Sequence, residues 1–448
     1  MKRQYLFSVP LVFTWLLTGF VHAAEVLSLE QAVARAQEID PWLQQSVLLE
    51  QSQKAESEFV SALPDPVVSV GVANLPLDSF DFSQEAMTQA KIGVAQMFPR
   101  GATLRLREEK LQRMSQQEPF KREDRKQKVK VTVTHLWLEA FRAAKSIQLI
   151  EKDRSLFEHL VDVAQSSYST AMANTKQQDL VRAQLELTRL EDRLFRLHQH
   201  QDEKKARLKE WLSAGEVGVT GEVFKLTDQL PEIAVSQNYK SVSATSENSN
   251  LLAHYIQQHP VLMGLDTQIE ASSTDIELAR QAYKPQWGIN AGYGYRDTDP
   301  TGQDRADFFS VGVSFDMPIF SRSKKSKKVK AAQTKTESIK TQKALQLRQL
   351  VSGFESAQAK LQRMEQRKTL YSARLLKEMH EQAEASLTAY TNDDGDFSEV
   401  VRARIAELNA HIDALNIDVD RLKTIAELNY FLAGAEAVNY AGEHDEKN

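Results

Sequence analysis

The stretch KPQWGINAGYGYR, residues 284–296, decides how the rest of the chain is to be read. From Trp287 onward every second residue is apolar or aromatic: Trp287, Ile289, Ala291, Tyr293 and Tyr295. The residues between them are Gly288, Asn290, Gly292 and Gly294. A period of two is the mark of a β-strand, here with one greasy face and one wet face. The surrounding sequence has the three-four apolar spacing of long charged helices, so this strand needs a special environment.

Three more segments alternate in the same way. Residues 66–74 carry Val68, Val70 and Val72 against Ser69 and Gly71. Residues 88–98 carry Ala90, Ile92, Val94 and Phe98 against Gln89, Lys91 and Gly93, and residues 307–317 carry Phe309, Val311, Val313, Phe315 and Met317 against Ser310, Gly312, Ser314 and Asp316. The first and third strands also correspond by position. An offset of 219 carries Pro66, Val68, Val70 and Val72 onto Pro285, Trp287, Ile289 and Ala291. It also carries Pro41 onto Pro260, Gly93 onto Gly312, Pro99 onto Pro318 and Ala164 onto Ala383. With one inserted residue, Arg182 and Ala183 meet Arg402 and Ala403. Repeated spacing of this kind points to an internal duplication.

Each copy is expected to run helix (about 28–62 and 251–283), two strands, a very long helix (about 103–170 and 322–389), a break, and a shorter helix (about 178–213 and 398–434). The expected organisation is a first repeat over 24–213, a linker over 214–250, a second repeat over 251–435 and a polar tail over 436–448. Val129, Val133, Leu136, Ala140, Ile147, Ile150, Phe157, Val161 and Ala164 form a stripe at helical spacing, which is packing surface for neighbouring helices. A helix of some 68 residues spans ~100 Å at 1.5 Å per residue. Helix 178–213 then returns half-way from the far tip and helix 251–283 completes the climb. The Gly-, Ser- and Asn-rich linker between them is placed as a belt around the middle of a helical rod. The fold class is mostly α with a small β part; few aromatics (8%) suit coiled-coil-like packing.

The N-terminus, MKRQYLFSVPLVFTWLLTGFVHA, has a basic start, an apolar run and small residues at Ala23 and Ala24, the pattern of a secretory signal over 1–23. The chain has no cysteine, which excludes disulfides and thiolate chemistry. The net charge of −5, which becomes −7 once Lys2 and Arg3 are removed, offers no basic field for nucleic acid. His198 and His200 lie two apart and share no helix face, and Met379–His380 is an adjacent pair, so no metal site and no cofactor is expected. No P-loop, nucleophile–base constellation or phosphate cradle is present, so no enzyme activity is expected.

Beyond the signal, no apolar run reaches the ~20 residues of a spanning helix. The strands, at ~10 residues, have the length that crosses a bilayer when tilted. Trp287 and Phe320 at one end, and Tyr295, Phe308 and Phe309 at the other, resemble the aromatic girdles of membrane barrels. Four strands cannot close a barrel, and lipid does not tolerate open sheet edges, so the barrel must be shared between copies. The lipid face is then Val68, Val70, Val72, Ile92, Val94, Trp287, Ile289, Tyr293, Tyr295, Phe309, Val311, Val313 and Phe315. The lumen face is Ser69, Gly71, Lys91, Gly93, Asn290, Gly292, Gly294, Ser310, Gly312 and Ser314.

The two repeats, the "DP" and "HP" at Asp40–Pro41 and His259–Pro260, and YSTAMANTKQQDLVRAQLELTRLEDRL after the first long helix resemble the TolC-like outer-membrane factor family over nearly the whole mature chain. QMFPRG (96–101) and QQDLVRAQLELTRLEDRL (177–194) look most like the branch serving heavy-metal resistance–nodulation–division pumps. The resemblance implies a homotrimer with a twelve-strand barrel in the outer membrane, a periplasmic helical tunnel, and tip turns that dock onto a periplasmic adaptor and its inner-membrane pump. Where that family often has Gly in the first tip turn, this chain has Ala171 and Ala173; the second turn keeps Gly395.

The tips expected at the entrance comprise Ala171, Ala173, Asn174, Gln177, Gln178, Asp179, Asp393, Asp394, Gly395 and Asp396. The three aspartates of "NDDGD" serve as turn and helix-cap residues. In a trimer they would also set nine carboxylates around a mouth that favours cations. The basic run SRSKKSKKVK (321–330) is either a solvated helix face or a contact for anionic headgroups. The expected function is a passive export duct, with metal cations among its candidate cargoes. The outer channel of a type I protein secretion system is the alternative on the same fold, and a periplasmic coiled-coil scaffold without a pore is the alternative of another class.

Overall fold

The computed structural model describes residues 26–169, 177–213, 224–244, 248–317, 319–392 and 395–434. The signal segment and the polar tail lie outside the described residues. The chain opens with β1 (Val26–Leu27), α1 (Leu29–Ile39) and α2 (Pro41–Ser61), followed by β2 (Val67–Ala73) and β3 (Gln89–Phe98). Then come α3 (Thr103–Ser169), α4 (Gln177–Leu212), β4 (Lys225–Leu226), α5 (Gln237–Ala244), α6 (Asn248–Gln257) and α7 (Pro260–Gln281). Strands β5 (Trp287–Tyr295) and β6 (Phe308–Phe315) lead into α8 (Arg322–Leu370), a π turn (Tyr371–Leu375), α9 (Leu376–Thr391) and α10 (Phe397–Phe431).

The long helices follow the expected course, and α3, at 67 residues, is ~100 Å long. The first helix of each half differs from expectation, because each is two helices and not one. The breaks fall at Asp40 and His259, each before a proline. Proline restricts the preceding residue to extended backbone and has no N–H to continue the ladder. Asp40 sits at φ −63°, ψ 109° and His259 at φ −61°, ψ 132°, and each caps the following helix with its side chain. Proline at the first helical position then costs nothing. The second long helix is also not continuous: it widens into the π turn at Tyr371–Leu375.

Helices α2 and α7 both lie against the first half of α3. Ser46 donates to Glu118 at 2.7 Å, Lys110 pairs with Asp275 at 2.7 Å, and Gln117 donates to the carbonyl of Gly264 at 3.0 Å. Helix α4 lies against the second half, where Arg154 pairs with Glu191 at 3.3 Å. So α4 and α7, end to end, run the length of α3. At their junction lies the largest core cluster. Val129, Val133, Trp137 and Phe141 of α3 meet Leu208 of α4, Phe354 of α8, and Leu422, Ile425 and Leu428 of α10. Phe224, Leu226, Ile233 and Val235, from the segment between α4 and α5, pack on it. Trp137 is fully buried and donates its indole N–H to the carbonyl of Leu27, while β1 pairs in parallel with β4. A second cluster, toward the far end, joins Ile150 and Phe157 of α3, Leu190 and Leu194 of α4, and Phe397, Val400 and Leu408 of α10.

Candidate functional site

The four main strands form one antiparallel sheet in the order β2-β3-β5-β6. Residues directly opposite each other share a face, so the register shows which side chains lie together. One row runs Val70, Ile92, Tyr293, Phe309, the next Val68, Val94, Ala291, Val311, and a third Val72, Ala90, Tyr295. Nearer the helices Gln96, Ile289 and Val313 align, and Phe98, Trp287 and Phe315 close the sheet. All thirteen residues read as one apolar face therefore lie together. The other face aligns Ser69, Gly93, Gly292 and Ser310, then Gly71, Lys91 and Gly294, then Asn290 with Gly312 and Gly288 with Ser314. Four residues differ in type from the rest of their face. Gln96 falls in the apolar rows, where it donates to the carbonyl of Pro64, and Val67, Met97 and Phe308 fall on the glycine side. Counting parity from the neighbouring strand residues would have found all four.

The apolar face is bare. Val70 is 81% exposed and Phe309 74%, and Val68, Val72, Ile92, Trp287, Ile289, Tyr293, Tyr295, Val311, Val313 and Phe315 are exposed as well. Leaving such side chains in water forfeits about 1.5–3 kcal/mol each relative to burial. The outer edges of β2 and β6 have no strand partner among the described residues. On the other face, the glycines give polar neighbours room. A Cβ at Gly93 would lie 2.9 Å from the Ser69 hydroxyl, which donates to the Gly93 carbonyl.

At the sheet end remote from the helices, two loops are pinned to each other. Arg296 donates to the carbonyl of Ala86 at 3.2 Å and stacks 4.0 Å over Phe308, and Arg305 donates to the carbonyl of Glu85 at 3.1 Å. At the opposite end of the molecule are the tip turns. Gln177 and Gln178 are exposed in the first turn of α4, and Asp179 follows in the same helix. Gly395 is exposed where the chain folds back: a Cβ there would come within 2.7 Å of the Tyr390 nitrogen and 2.9 Å of the Ala389 carbonyl carbon. Asp396 caps α10, accepting from the Ser398 N–H at 3.0 Å. Ala171, Ala173, Asn174, Asp393 and Asp394 lie outside the described residues.

Midway along the rod is a buried polar network that the spacing of residues did not reveal. His259, fully buried, accepts from the Val261 N–H at Nδ1, and its Nε2 lies 3.1 Å from the Tyr430 carbonyl. The neutral Nε2–H tautomer satisfies both contacts. Burial pushes the His259 pKa below the usual histidine value. The Tyr430 hydroxyl donates to Asp124, which also holds Lys128, and burial together with that carboxylate raises the Tyr430 pKa. Among the described residues no group of three or more His, Asp or Glu could hold a metal ion, and no helix is long and apolar enough to cross a membrane.

Neither a protein-family model nor a curated relative matches the sequence. Solved structures do match, and over almost the whole chain. The outer-membrane channel OprN superposes with a TM-score of 0.71 at 14% identity, over 91% of this chain and 90% of that one. The outer membrane protein VceC of Vibrio cholerae gives 0.70 at 11%, over 91% and 96%. The fold is that of the TolC-like outer-membrane channels. The CmeC outer membrane channel of Campylobacter jejuni gives 0.72 at 13%, over 93% and 88%. At such identities the likeness lies in the path of the backbone, and this chain builds that channel fold with a largely different set of side chains.

Proposed function

We propose that the chain is the outer-membrane duct of a tripartite efflux assembly. Three copies close a twelve-strand barrel in the outer membrane and, below it, a periplasmic helical tunnel. The tips dock to a periplasmic adaptor and through it to an inner-membrane pump, which supplies the energy; the duct itself is passive and not an enzyme. The carrying observation is the sheet: an apolar face left bare across all four strands, a glycine- and serine-rich face behind it, and two open edges, on helices ~100 Å long. Lipid accounts for the first, a water-filled lumen for the second and neighbouring copies for the third. The twofold occurrence of helix, two strands, long helix and shorter helix supports a duplicated unit. The resemblance at 96–101 and 177–194 and the aspartates of the mouth favour cationic cargo, metal ions included.

Because the chain has no cysteine, single cysteines report topology without background. Leu77, 85% exposed in the β2–β3 loop, is expected at the cell surface, and Asp202, on α4, in the periplasm. Leu77→Cys should react with a membrane-impermeant maleimide on intact cells, and Asp202→Cys only after the outer membrane is opened. Equal labelling of the two on intact cells would contradict the placement.

A further inference from the structure

Where α3 begins, α7 ends and α8 begins, a groove of about 570 Å³ lies just beyond the aromatic row Phe98–Trp287–Phe315. Its less exposed lining includes Leu278, Ala279, Ala282 and Ala332, and its exposed lining includes Arg107, Lys328 and Lys335. Along the start of α3 the neighbouring cations are neutralised, Arg105 by Glu109 at 3.0 Å, Lys110 by Asp275 at 2.7 Å and Arg113 by Glu270, and just before the helix Arg100 is neutralised by Asp316. Arg107, Lys328 and Lys335 have no ion-pair partner among the described residues. The only carboxylate in the lining, Asp275, is the one already held by Lys110. From Arg322 to Lys335 there are seven cations and no carboxylate. Within that run the Lys325 ammonium is shielded from solvent without a hydrogen-bond acceptor, 5.9 Å from the Tyr283 ring centroid.

Three uncompensated cations beside an apolar lining lack only an anion. We infer that this groove binds a phosphate group, with Arg107 able to offer a two-pronged contact and the lysines acting as point charges. The phosphate can come from an anionic phospholipid, since cations just past an aromatic belt sit at headgroup level and each contributes to attraction for such lipids. It can equally come from a free phosphate-bearing solute. Only the lipid source rests on the outer-membrane reading, so a failure of that reading leaves the groove testable with the soluble probe.

The test uses the full-length protein in detergent, as wild type and as the triple variant Arg107→Gln/Lys328→Gln/Lys335→Gln. The control is Lys340→Gln, farther along α8, where the lysine is already paired with Glu337. One arm measures phosphatidylglycerol retained against phosphatidylcholine by native mass spectrometry. The other measures inorganic phosphate binding by phosphorus-31 relaxation. The expected result is binding in at least one arm, weakened at least about tenfold in the triple variant and unchanged in the control. Selective retention of phosphatidylglycerol identifies a lipid site, and phosphate binding alone identifies a solute site. Circular dichroism and particle mass check that the triple variant is folded and assembled. If the wild type binds neither probe, or the folded triple variant binds as well as wild type, the inference is overturned.

Discussion

Val70 and Gly71 are neighbours in the chain that face opposite ways across one sheet. A Cβ added at Gly71 meets nothing within 4 Å, whereas Val70 stands in the bare apolar face beside Ile92. Gly71→Arg should therefore assemble close to wild-type levels. Val70→Arg, which on the proposed barrel would set a charge against lipid, should cost about 2–4 kcal/mol near the bilayer midplane. Quantifying each variant in purified outer membranes checks this, and equal levels would mean the faces are wrongly assigned. Which side chains share a face was legible there, because a period of two needs only neighbours. His259 is the contrary case. Its role depends on Tyr430, 171 residues away, and on burial in the folded chain, and nothing local in HPVL announces either. Folding holds His259 neutral with a depressed pKa, while the unfolded histidine titrates near ~6.5. Protons therefore bind the unfolded chain preferentially. The stability contributed is complete above ~6.5 and is lost as pH falls from there toward the depressed folded value. His259→Asn keeps a capping side chain, so thermal melts between pH 7.5 and 5.5 should show a smaller acid-induced loss in the variant than in wild type. Identical pH slopes would count against this role.

At the scale of elements, helix and strand positions could be read from apolar period and from Pro and Gly. What escaped was how two prolines divide helices. The sequence on either side of Pro41 and Pro260 is helical, and only the extended backbone of Asp40 and His259 shows that each proline opens a new helix rather than kinking an old one. The π turn at Tyr371–Leu375 left no mark in YSARL. The second tip turn was legible in part. Gly395 is there because the backbone of Ala389 and Tyr390 passes too close for a side chain, and Asp396 is a cap. Gly395→Ala should accordingly distort the turn, with hydrogen exchange rising in α9 and the start of α10. Asp396→Ala should cost about 1 kcal/mol through the lost cap, and Asp396→Asn close to nothing. If Asp396→Ala and Asp396→Asn melt at the same temperature, the side-chain cap contributes no stability. Whether the mouth also selects cations is a separate question, answered by replacing Asp393, Asp394 and Asp396 together with Asn. Cation selectivity, read as the reversal potential under a salt gradient, should fall most clearly at low salt, where screening is weakest. An unchanged potential would leave the three as turn residues.

At the scale of the whole molecule, the proposed barrel needs more than one chain. Among the described residues the sheet has two open edges and a face that water would penalise, and lipid does not tolerate open edges. The need for partners could be argued from four strands alone, since the smallest membrane barrels use eight. The groove beside the sheet, between α3, α7 and α8, was only half visible, because the basic run was plain in sequence while Arg107 and Asp275 joined it from distant segments. If copies of this chain complete each other's barrel, the polypeptide mass of the particle extracted from outer membranes must show it. Light scattering with the detergent contribution subtracted should give three mature chains, each lighter than the 50.7 kDa of the full sequence by its signal segment, in a particle that needs detergent to stay dispersed. A monodisperse single chain, soluble without detergent, would contradict the account.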